Sequence, residues 1–462
     1  MPLLTLRAAI FRFGGFLPRL DCLPPANSLL AVCLLFSAGS ASVTLANPAS
    51  VRSDLDNPIL QLSTVMPQTP DKTANNPAIQ PFTIAIPDSA LEDLQSRLSN
   101  TRWPDQLTDV SWEYGTEKSA LQEIVRYWQD EFSWREQEAT LNAMDQYTTE
   151  VDGLDMHFIH QRAANSDAIP LLLVHGWPGS IAEFTHLIPQ LANPEAHGGT
   201  ASDAFHVIAP SLPGFGFSEK PATAGYSPER IALVLAELMA TLGYEQYALA
   251  GGDWGGIINR HLANHYPERL IALHSNFVLA APPEDPAQRD QATAEELALR
   301  ESRANFMRNE LAYQQIQGTK PQSLGYGLND SPVGLAAWIV EKFHGWTDMP
   351  QGPDGDLDDY FAKDDLLTNI SIYWFTETIT SSMRIYYENR NTPTIKPMEY
   401  ISVPTGGAIY PAEMYQTPRA WAEASYNIQH WTEMPAGGHF AALEQTETYL
   451  QDLRRFFQAY RP

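Results

Sequence analysis

The chain has 462 residues, of which 44% are hydrophobic and 18% charged, so it can bury one large core or two ordinary ones. Its formal net charge is −26. Nucleic acid and anionic membrane surfaces are therefore excluded as expected partners, because both repel a strongly acidic surface.

The first 46 residues differ in character from the rest of the chain. Three arginines and a single aspartate precede the apolar run SLLAVCLLFSAGSASVTLA, which ends in small residues. This order is typical of a secretory signal peptide, so we expect export to the periplasm or the medium and no transmembrane span in the mature chain. Both cysteines, Cys22 and Cys33, lie in this leader, which excludes disulfides and cysteine metal sites from the mature chain.

Residues 47–79 are rich in Asn, Pro, Ser and Thr and are predicted to form a linker or a surface arm. Residues 80–150 then show helical patterns. IPDSALEDLQSRLSNTRWPD predicts a helix capped by Asp88 or Ser89, and KSALQEIVRYWQDEF and WREQEATLNAM predict two more. We interpret this part as an N-terminal helical region.

Short apolar runs alternate with helical stretches over residues 151–280, namely MHFIH, IPLLLVHG, FHVIAP, YALAGG and LIALHSN. This alternation predicts a mostly parallel sheet with helices on both faces. Residues 281–394 show only helical patterns, including a helix capped by Ser331 with Pro332 at its first position, and one long helix over DDLLTNISIYWFTETITSSMRIYYEN. Two strand-like runs and a final helix follow in 395–462, so the helical segment is predicted to be a lid inserted before the last strands.

The stretch LAGGDWGG has the spacing of a nucleophile elbow, with Asp253 at the nucleophile position between a strand and a helix. A glycine-rich turn with a helix-capping aspartate is the alternative. HGWPGS follows an early strand, and the backbone N–H groups of Trp177 and Trp254 would together face a developing oxyanion. The alternative for HGWPGS is an ordinary turn at a strand end, in which His175 is structural.

An elbow nucleophile requires an acid and a histidine later in the chain, in that order. His439 in GGHF lies between the last strand-like run and the closing helix, and Glu413 in YPAEMY follows the preceding strand. Glu433 is closer to His439 in sequence but is expected to point to solvent. His261 and His265 lack a third ligand, so no metal and no cofactor are expected.

The acidic run DGDLDDYFAKDD, which begins at Asp354, imitates the start of a calcium loop. Asp359 stands where such a loop needs glycine, and Asp365 stands where a bidentate glutamate is expected. We therefore predict a solvated lid loop.

The elbow, the HGWPGS turn, Glu413, GGHFAALE and the N-terminal IPDSALEDLQSRLSNTRWPD together resemble the epoxide hydrolases of microsomal type, which include the juvenile-hormone epoxide hydrolases. The resemblance runs from about Phe82 to the end of the chain. It implies an α/β-hydrolase fold that converts an epoxide and water to a vicinal diol. It also implies an alkyl ester on Asp253, hydrolysed by water that His439 activates while Glu413 orients the imidazole.

Members of this family donate a proton to the epoxide oxygen from two lid tyrosines. The resemblance places them at Tyr313 in ELAYQQIQ and at Tyr386 in SSMRIYYEN, with Tyr387 as the alternative to Tyr386. Phenols are suited to this task because they stay protonated at neutral pH.

Two other functions are considered beside epoxide hydrolysis. A hydrolytic dehalogenase would use the same aspartate, and a secreted binding protein could retain the scaffold without activity. A serine esterase is excluded, because the chain contains no G-x-S-x-G sequence. The aromatic lid favours a hydrophobic epoxide as substrate, whereas the sequence leaves homodimer formation open.

Overall fold

The computed structural model describes residues 78–350 and 355–461, which belong to one compact unit. The predicted signal peptide with both cysteines, and nearly all of the predicted linker, lie outside these residues. Nine strands of the described chain form one sheet: β1 Gln80–Pro81, β2 Gln146–Val151, β3 Leu154–Gln161, β4 Ile169–Val174, β5 Phe205–Pro210, β6 Tyr247–Gly251, β7 Leu270–Ser275, β8 Ile401–Ile409 and β9 Tyr426–Glu433.

The α-helices of the described residues fall into three groups along the chain. Before the lid they are α1 Asp88–Ser99, α2 Lys118–Asp130, α3 Trp134–Asn142, α4 Leu187–Ala192, α5 Pro228–Thr241 and α6 Asp253–His265. The lid contributes α7 Pro286–Arg289, α8 Ala294–Glu310, α9 Ala312–Gln317, α10 Pro321–Asp330, α11 Pro332–Gly345, α12 Lys363–Thr376 and α13 Ile379–Asn391. The last part holds α14 Arg419–Ser425, α15 Ala441–Glu444 and α16 Thr446–Phe457. Short 3₁₀ helices lie at Ser111–Tyr114, Ile181–Phe184, Pro194–His197, Ala201–Asp203, Pro267–Arg269, Leu357–Asp359 and Gln458–Tyr460.

The strands lie in the order β1-β2-β3-β5-β4-β6-β7-β8-β9. The pairs β1–β2, β2–β3 and β3–β5 are antiparallel, and the five remaining pairs are parallel. The prediction of a mostly parallel sheet with helices is therefore confirmed. Because the chain crosses over after β5, β4 lies beside β6, and Val174 pairs with Gly251 at the ends of these strands.

The central strands are continuous apolar runs because helices cover both faces of the sheet. Leu171, Leu172, Leu173 and Val174 of β4 have no exposed surface. Leu172 and Val174 belong to one hydrophobic cluster, whereas Leu171 and Leu173 belong to another. Since successive side chains of a strand point to opposite faces, the two clusters are the two layers of core on either side of the sheet.

The carboxyl ends of the parallel strands meet at one edge of the sheet, where ligands bind in this class of fold. The HGWPGS turn follows β4 and Asp253 follows β6. Glu413 follows β8 and His439 follows β9. The strand order thus places the predicted site residues at a common edge.

The N-terminal region contains the three predicted helices, but the predicted cap of the first is wrong. Pro87 occupies the cap position in extended backbone, and Asp88 is the first helical residue. Proline fixes φ near the value found there, so the helix begins directly after it. The Asp88 carboxylate instead pairs with Arg135 of α3 at 2.5 Å.

The predicted helical lid is confirmed, since α7 to α13 lie between β7 and β8. Ser331 accepts the Gly334 N–H and caps α11, as predicted. The prediction of one long helix in this segment is wrong, because two helices, α12 and α13, form there. Glu377 adopts left-handed backbone with φ 54°, and the Thr378 N–H donates to the Tyr373 carbonyl. This is the Schellman closure, which usually requires glycine at the position of Glu377.

No helix of the described residues is long and apolar enough to cross a bilayer.

Candidate active site

Asp253 lies at the sharp turn between β6 and α6. Its φ is 46°, which is uncommon for a residue with a side chain and marks strained backbone. The turn is also tight: a Cβ at Gly255 would lie 2.0 Å from the Val174 carbonyl oxygen, and one at Gly176 would lie 2.3 Å from Oδ1 of Asp253. The glycines therefore let β4 and its turn approach the aspartate closely.

Each oxygen of the Asp253 carboxylate faces a different partner. The backbone N–H of Trp177, in the HGWPGS turn, donates to Oδ1 at 2.8 Å. Nε2 of His439 lies 3.4 Å from Oδ2. Trp254 follows Asp253 in the first turn of α6, where backbone N–H groups have no acceptor within the helix. The structure thus brings together the aspartate, the histidine and the Trp177 N–H, and Trp254 directly follows the aspartate.

Glu413 holds the other side of the imidazole. Nδ1 of His439 lies 2.9 Å from Oε1 and 3.0 Å from Oε2 of Glu413, and both side chains are buried. Burial by itself lowers the pKa of His439, but the neighbouring Glu413 and Asp253 carboxylates outweigh it and raise this pKa well above its ordinary value. The resting site therefore holds an imidazolium between two carboxylates.

Tyr313 and Tyr386 come from two lid helices and face each other beside the aspartate. Their ring centroids are 5.7 Å apart, and both rings contact Trp177. Burial raises the pKa of both phenols well above the ordinary value, and the Asp253 charge raises both further. Both are therefore neutral donors, whereas Tyr387 is 41% exposed.

Sequence reasoning missed the support that α12 gives to the HGWPGS turn. The Asn369 amide donates to the Pro178 carbonyl at 2.8 Å and accepts from the Ser180 hydroxyl at 2.7 Å. The Tyr373 hydroxyl donates to the Gly179 carbonyl at 2.7 Å. These bonds hold the segment that presents the Trp177 N–H, and no spacing in the sequence signals them.

The loop that carries His439 is held through its backbone. Gly438 and Phe440 both donate to the Glu444 carboxylate, at 2.8 and 2.7 Å, on either side of the histidine. The His439 N–H donates to the Trp346 carbonyl of the lid at 2.9 Å. Glu444 lies within the GGHFAALE motif, and this motif is the signal in the sequence that points to its role.

A small cavity of about 20 Å³ adjoins the site. Asp253, His439 and Glu183 line it together with residues of the HGWPGS turn, whereas neither Tyr313 nor Tyr386 does. A groove of about 740 Å³ lies elsewhere, between the N-terminal region and the start of α11, and none of the predicted site residues lines it.

The remaining candidates have structural surroundings. His175 is buried and accepts from the Leu212 N–H, whereas His265 pairs with Glu229. Glu433 is exposed at the end of β9. No group of three potential metal ligands occurs within residues 78–350 and 355–461. The start of the acidic run, Asp354, lies outside the described residues, and the part that follows includes a short 3₁₀ helix.

Comparison with known proteins agrees with this geometry. Residues 79–184 match the epoxide hydrolase N-terminus family, and residues 169–315 match the α/β-hydrolase fold family. A protein of Stigmatella aurantiaca is 46% identical over 384 residues, which cover 83% of this chain and 86% of that protein. Epoxide hydrolase 1 of Sus scrofa is 38% identical over 406 residues, covering 83% and 89% of the two chains.

Two solved structures share both fold and sequence with the chain. Juvenile hormone epoxide hydrolase from Bombyx mori is 32% identical with a TM-score of 0.75, covering 83% of this chain and 95% of the other. The epoxide hydrolase of Aspergillus niger is 32% identical with a TM-score of 0.74, covering 83% and 97%. The chain therefore belongs to the epoxide hydrolases of microsomal type, which are built on the α/β-hydrolase fold.

Proposed function

We propose that this protein adds water to an epoxide in two steps, through a covalent ester on Asp253. Family membership gives the overall reaction, an epoxide and water to a vicinal diol. One observation carries the assignment of roles: the strained Asp253 receives the Trp177 N–H on Oδ1 while His439 lies 3.4 Å from Oδ2. The carboxylate is thereby aligned as nucleophile and the imidazole is placed beside it.

In the first step an Asp253 oxygen attacks a ring carbon of the epoxide. A carboxylate gains little by attacking an ester, but at a strained carbon it displaces oxygen and leaves a stable alkyl ester. The departing oxygen takes a proton from Tyr313 or Tyr386, because an alkoxide is a poor leaving group. The burial of Tyr386, against 41% exposure of Tyr387, supports Tyr386 as the second donor.

In the second step water attacks the carbonyl carbon of the Asp253 ester. Ester formation removes the negative charge from Asp253, which is one of the groups that raise the pKa of His439. The imidazolium can then give its proton to the tyrosinate that the first step leaves, and the neutral imidazole acts as base toward water. The oxyanion forms beside the N–H groups of Trp177 and Trp254, and Glu413 stabilises the imidazolium that results.

The two tyrosines also separate this function from that of a dehalogenase. A halide leaves without a proton, so a dehalogenase has no need of two buried phenols beside its aspartate. The complete set of nucleophile, base and acid argues against a binding protein without activity.

The substrate class follows from the walls of the site. Trp177, Trp254, Tyr313 and Tyr386 form one cluster of aromatic rings next to Asp253, with centroids 4.7–5.7 Å apart in the contacting pairs. Such walls favour a hydrophobic epoxide. The sequence leaves homodimer formation open, and analytical ultracentrifugation tests it.

We further propose export of the protein through residues 1–46, on the basis of their charge and hydropathy pattern. Cell fractionation of the native host tests this proposal. Enzyme retained in the cytoplasm with its N-terminus intact would contradict it.

A single turnover in ¹⁸O-labelled water tests the mechanism. With excess enzyme and a styrene-type epoxide, the first diol should carry an unlabelled oxygen from Asp253, because water enters the ester carbonyl. Asp253→Asn should form no ester, and Glu433→Gln, which changes an exposed acid, should behave as the wild type. Immediate ¹⁸O in the diol would refute the covalent route, and comparable halide release from haloalkanes would favour a dehalogenase.

A further inference from the structure

Glu183 is a half-buried acid that the mechanism above leaves without a role. It lies in the 3₁₀ helix Ile181–Phe184, directly after the HGWPGS turn. Its side chain lines the cavity of about 20 Å³ that Asp253 and His439 also line. A cavity of this size has room for about one water molecule.

The chain leaves space for this carboxyl group. A Cβ at Gly179 would lie 1.3 Å from Oε1 of Glu183, so any other residue in that position would displace the acid. Among the described residues no side chain or backbone group forms a hydrogen bond with the Glu183 carboxyl. Since Glu183 lines the cavity and polar groups inside a protein are almost always satisfied by protein or by ordered water, a water molecule in the cavity is the natural partner.

The electrostatic setting suits a neutral acid. Burial raises the pKa of Glu183 to about 8, an increase that His439 opposes and that the Asp253 charge supports. At neutral pH the group is therefore mainly protonated. A neutral carboxyl can hold water without placing a second negative charge beside the oxyanion that forms on Asp253.

We infer that Glu183 binds the water molecule that hydrolyses the Asp253 ester and holds it against Nε2 of His439. This inference rests on the proposed function. The water oxygen bonds to Cγ of the ester while one water hydrogen passes to Nε2, and the electron pair of the carbonyl moves to its oxygen. The second O–H of the water donates a hydrogen bond to the carbonyl oxygen of Glu183, and no proton passes to Glu183 in the reaction.

The intermediate then collapses as the ester C–O bond to the alkyl group breaks. The departing alkoxide takes the proton from His439 and leaves as diol. Asp253 then gives the proton that remains to His439, which restores both the Asp253 carboxylate and the resting imidazolium. Both water hydrogens are thereby accounted for.

The test compares Glu183→Gln with Glu183→Met, two substitutions of similar volume of which only glutamine can bind water. Stopped-flow tryptophan fluorescence gives the rate of ester formation, and mass spectrometry of acid-quenched enzyme gives the rate of its hydrolysis. Both variants should form the ester within about 3-fold of the wild-type rate. Hydrolysis should stay near wild type in Glu183→Gln and slow about 10- to 100-fold in Glu183→Met, so that the ester accumulates.

The outcomes separate this inference from the proposed function. If wild-type enzyme forms no ester on Asp253, the proposed function fails. If the ester forms but Glu183→Met hydrolyses it at the wild-type rate, or if both steps slow equally, only the role of Glu183 is overturned. Should Glu183→Met fail to fold, a high-resolution crystal structure of the wild type decides: a water within about 3.2 Å of both Glu183 and His439 supports the inference, and an empty cavity refutes it.

Discussion

Replacement of Tyr386 by phenylalanine should make the protein more stable and less active. The Tyr386 hydroxyl is buried beside the Trp254 and Tyr313 side chains, but it forms no hydrogen bond of standard geometry with any described residue. The ring contacts with Trp254, Trp177 and Tyr313, at 4.7 to 5.7 Å between centroids, need only the ring. An unpaired buried hydroxyl costs about 1–3 kcal/mol, so its removal should raise the free energy of unfolding by about 1 kcal/mol.

The same change removes a proton donor from the first chemical step. General acid catalysis contributes about 10²- to 10⁴-fold, and Tyr313 remains in the variant. Ester formation should therefore slow about 100-fold, which corresponds to about 2.7 kcal/mol in the barrier. Hydrolysis of an ester already formed should change much less.

Thermal unfolding and single-turnover kinetics measure the two effects on one preparation. Tyr387→Phe is the matched control, because it makes the same chemical change at the neighbouring, 41% exposed position and should alter neither property. A loss of stability in Tyr386→Phe would show that the hydroxyl has a partner in the resting enzyme. Unchanged ester formation would remove Tyr386 from the list of donors.

Three further predictions concern the supports of the site and the response to acid. Glu413→Gln should slow ester hydrolysis at least 10-fold and let the ester accumulate in quenched-flow mass spectra, because an amide cannot stabilise the His439 cation; unchanged hydrolysis would exclude this role. Asn369→Ala should lower the free energy of unfolding by about 2–3 kcal/mol and slow both steps about 10-fold, because the Trp177 N–H loses its support; rates equal to wild type would show that the turn holds itself. Burial lowers the pKa of His157 to about 3, so its stabilising contribution is complete above the unfolded pKa near 6.5 and is lost as pH falls toward 3. The loss for this residue is about 2 kcal/mol at pH 5, and His157→Gln should flatten the dependence of the melting temperature between pH 7 and 5; an equal slope in the variant would refute this cause.

The fold could be predicted because burial leaves a periodic pattern in the chain. The unbroken apolar run of β4 and the strand, turn and helix around Asp253 are local signals. The roles of Glu183 and Asn369 had no such local signal, because they depend on groups that are distant in sequence but close in space. The division of α12 from α13 was missed for a related reason, since Glu377 takes a backbone conformation that its residue type does not announce.

The choice between Tyr386 and Tyr387 shows what a resemblance adds. Both residues are tyrosines in one helix, so composition could not separate them. Adjacent residues of a helix point about 100° apart, and only one of the two faces Trp254. The family pattern pointed to Tyr386, and burial distinguishes the two side chains in the structure.

The bonds between α12 and the HGWPGS turn restrict how a substrate can reach Asp253. If the whole lid moved as one rigid body, α12 would move with it. The hydrogen bonds of Asn369 and Tyr373 to the Pro178 and Gly179 carbonyls would then break, and the turn would lose its support while the substrate binds. A path for the epoxide that spares these bonds must therefore open between other lid segments. Substitutions in α8 to α11 should thus change the rate of substrate entry and the substrate range, whereas α12 stays in place.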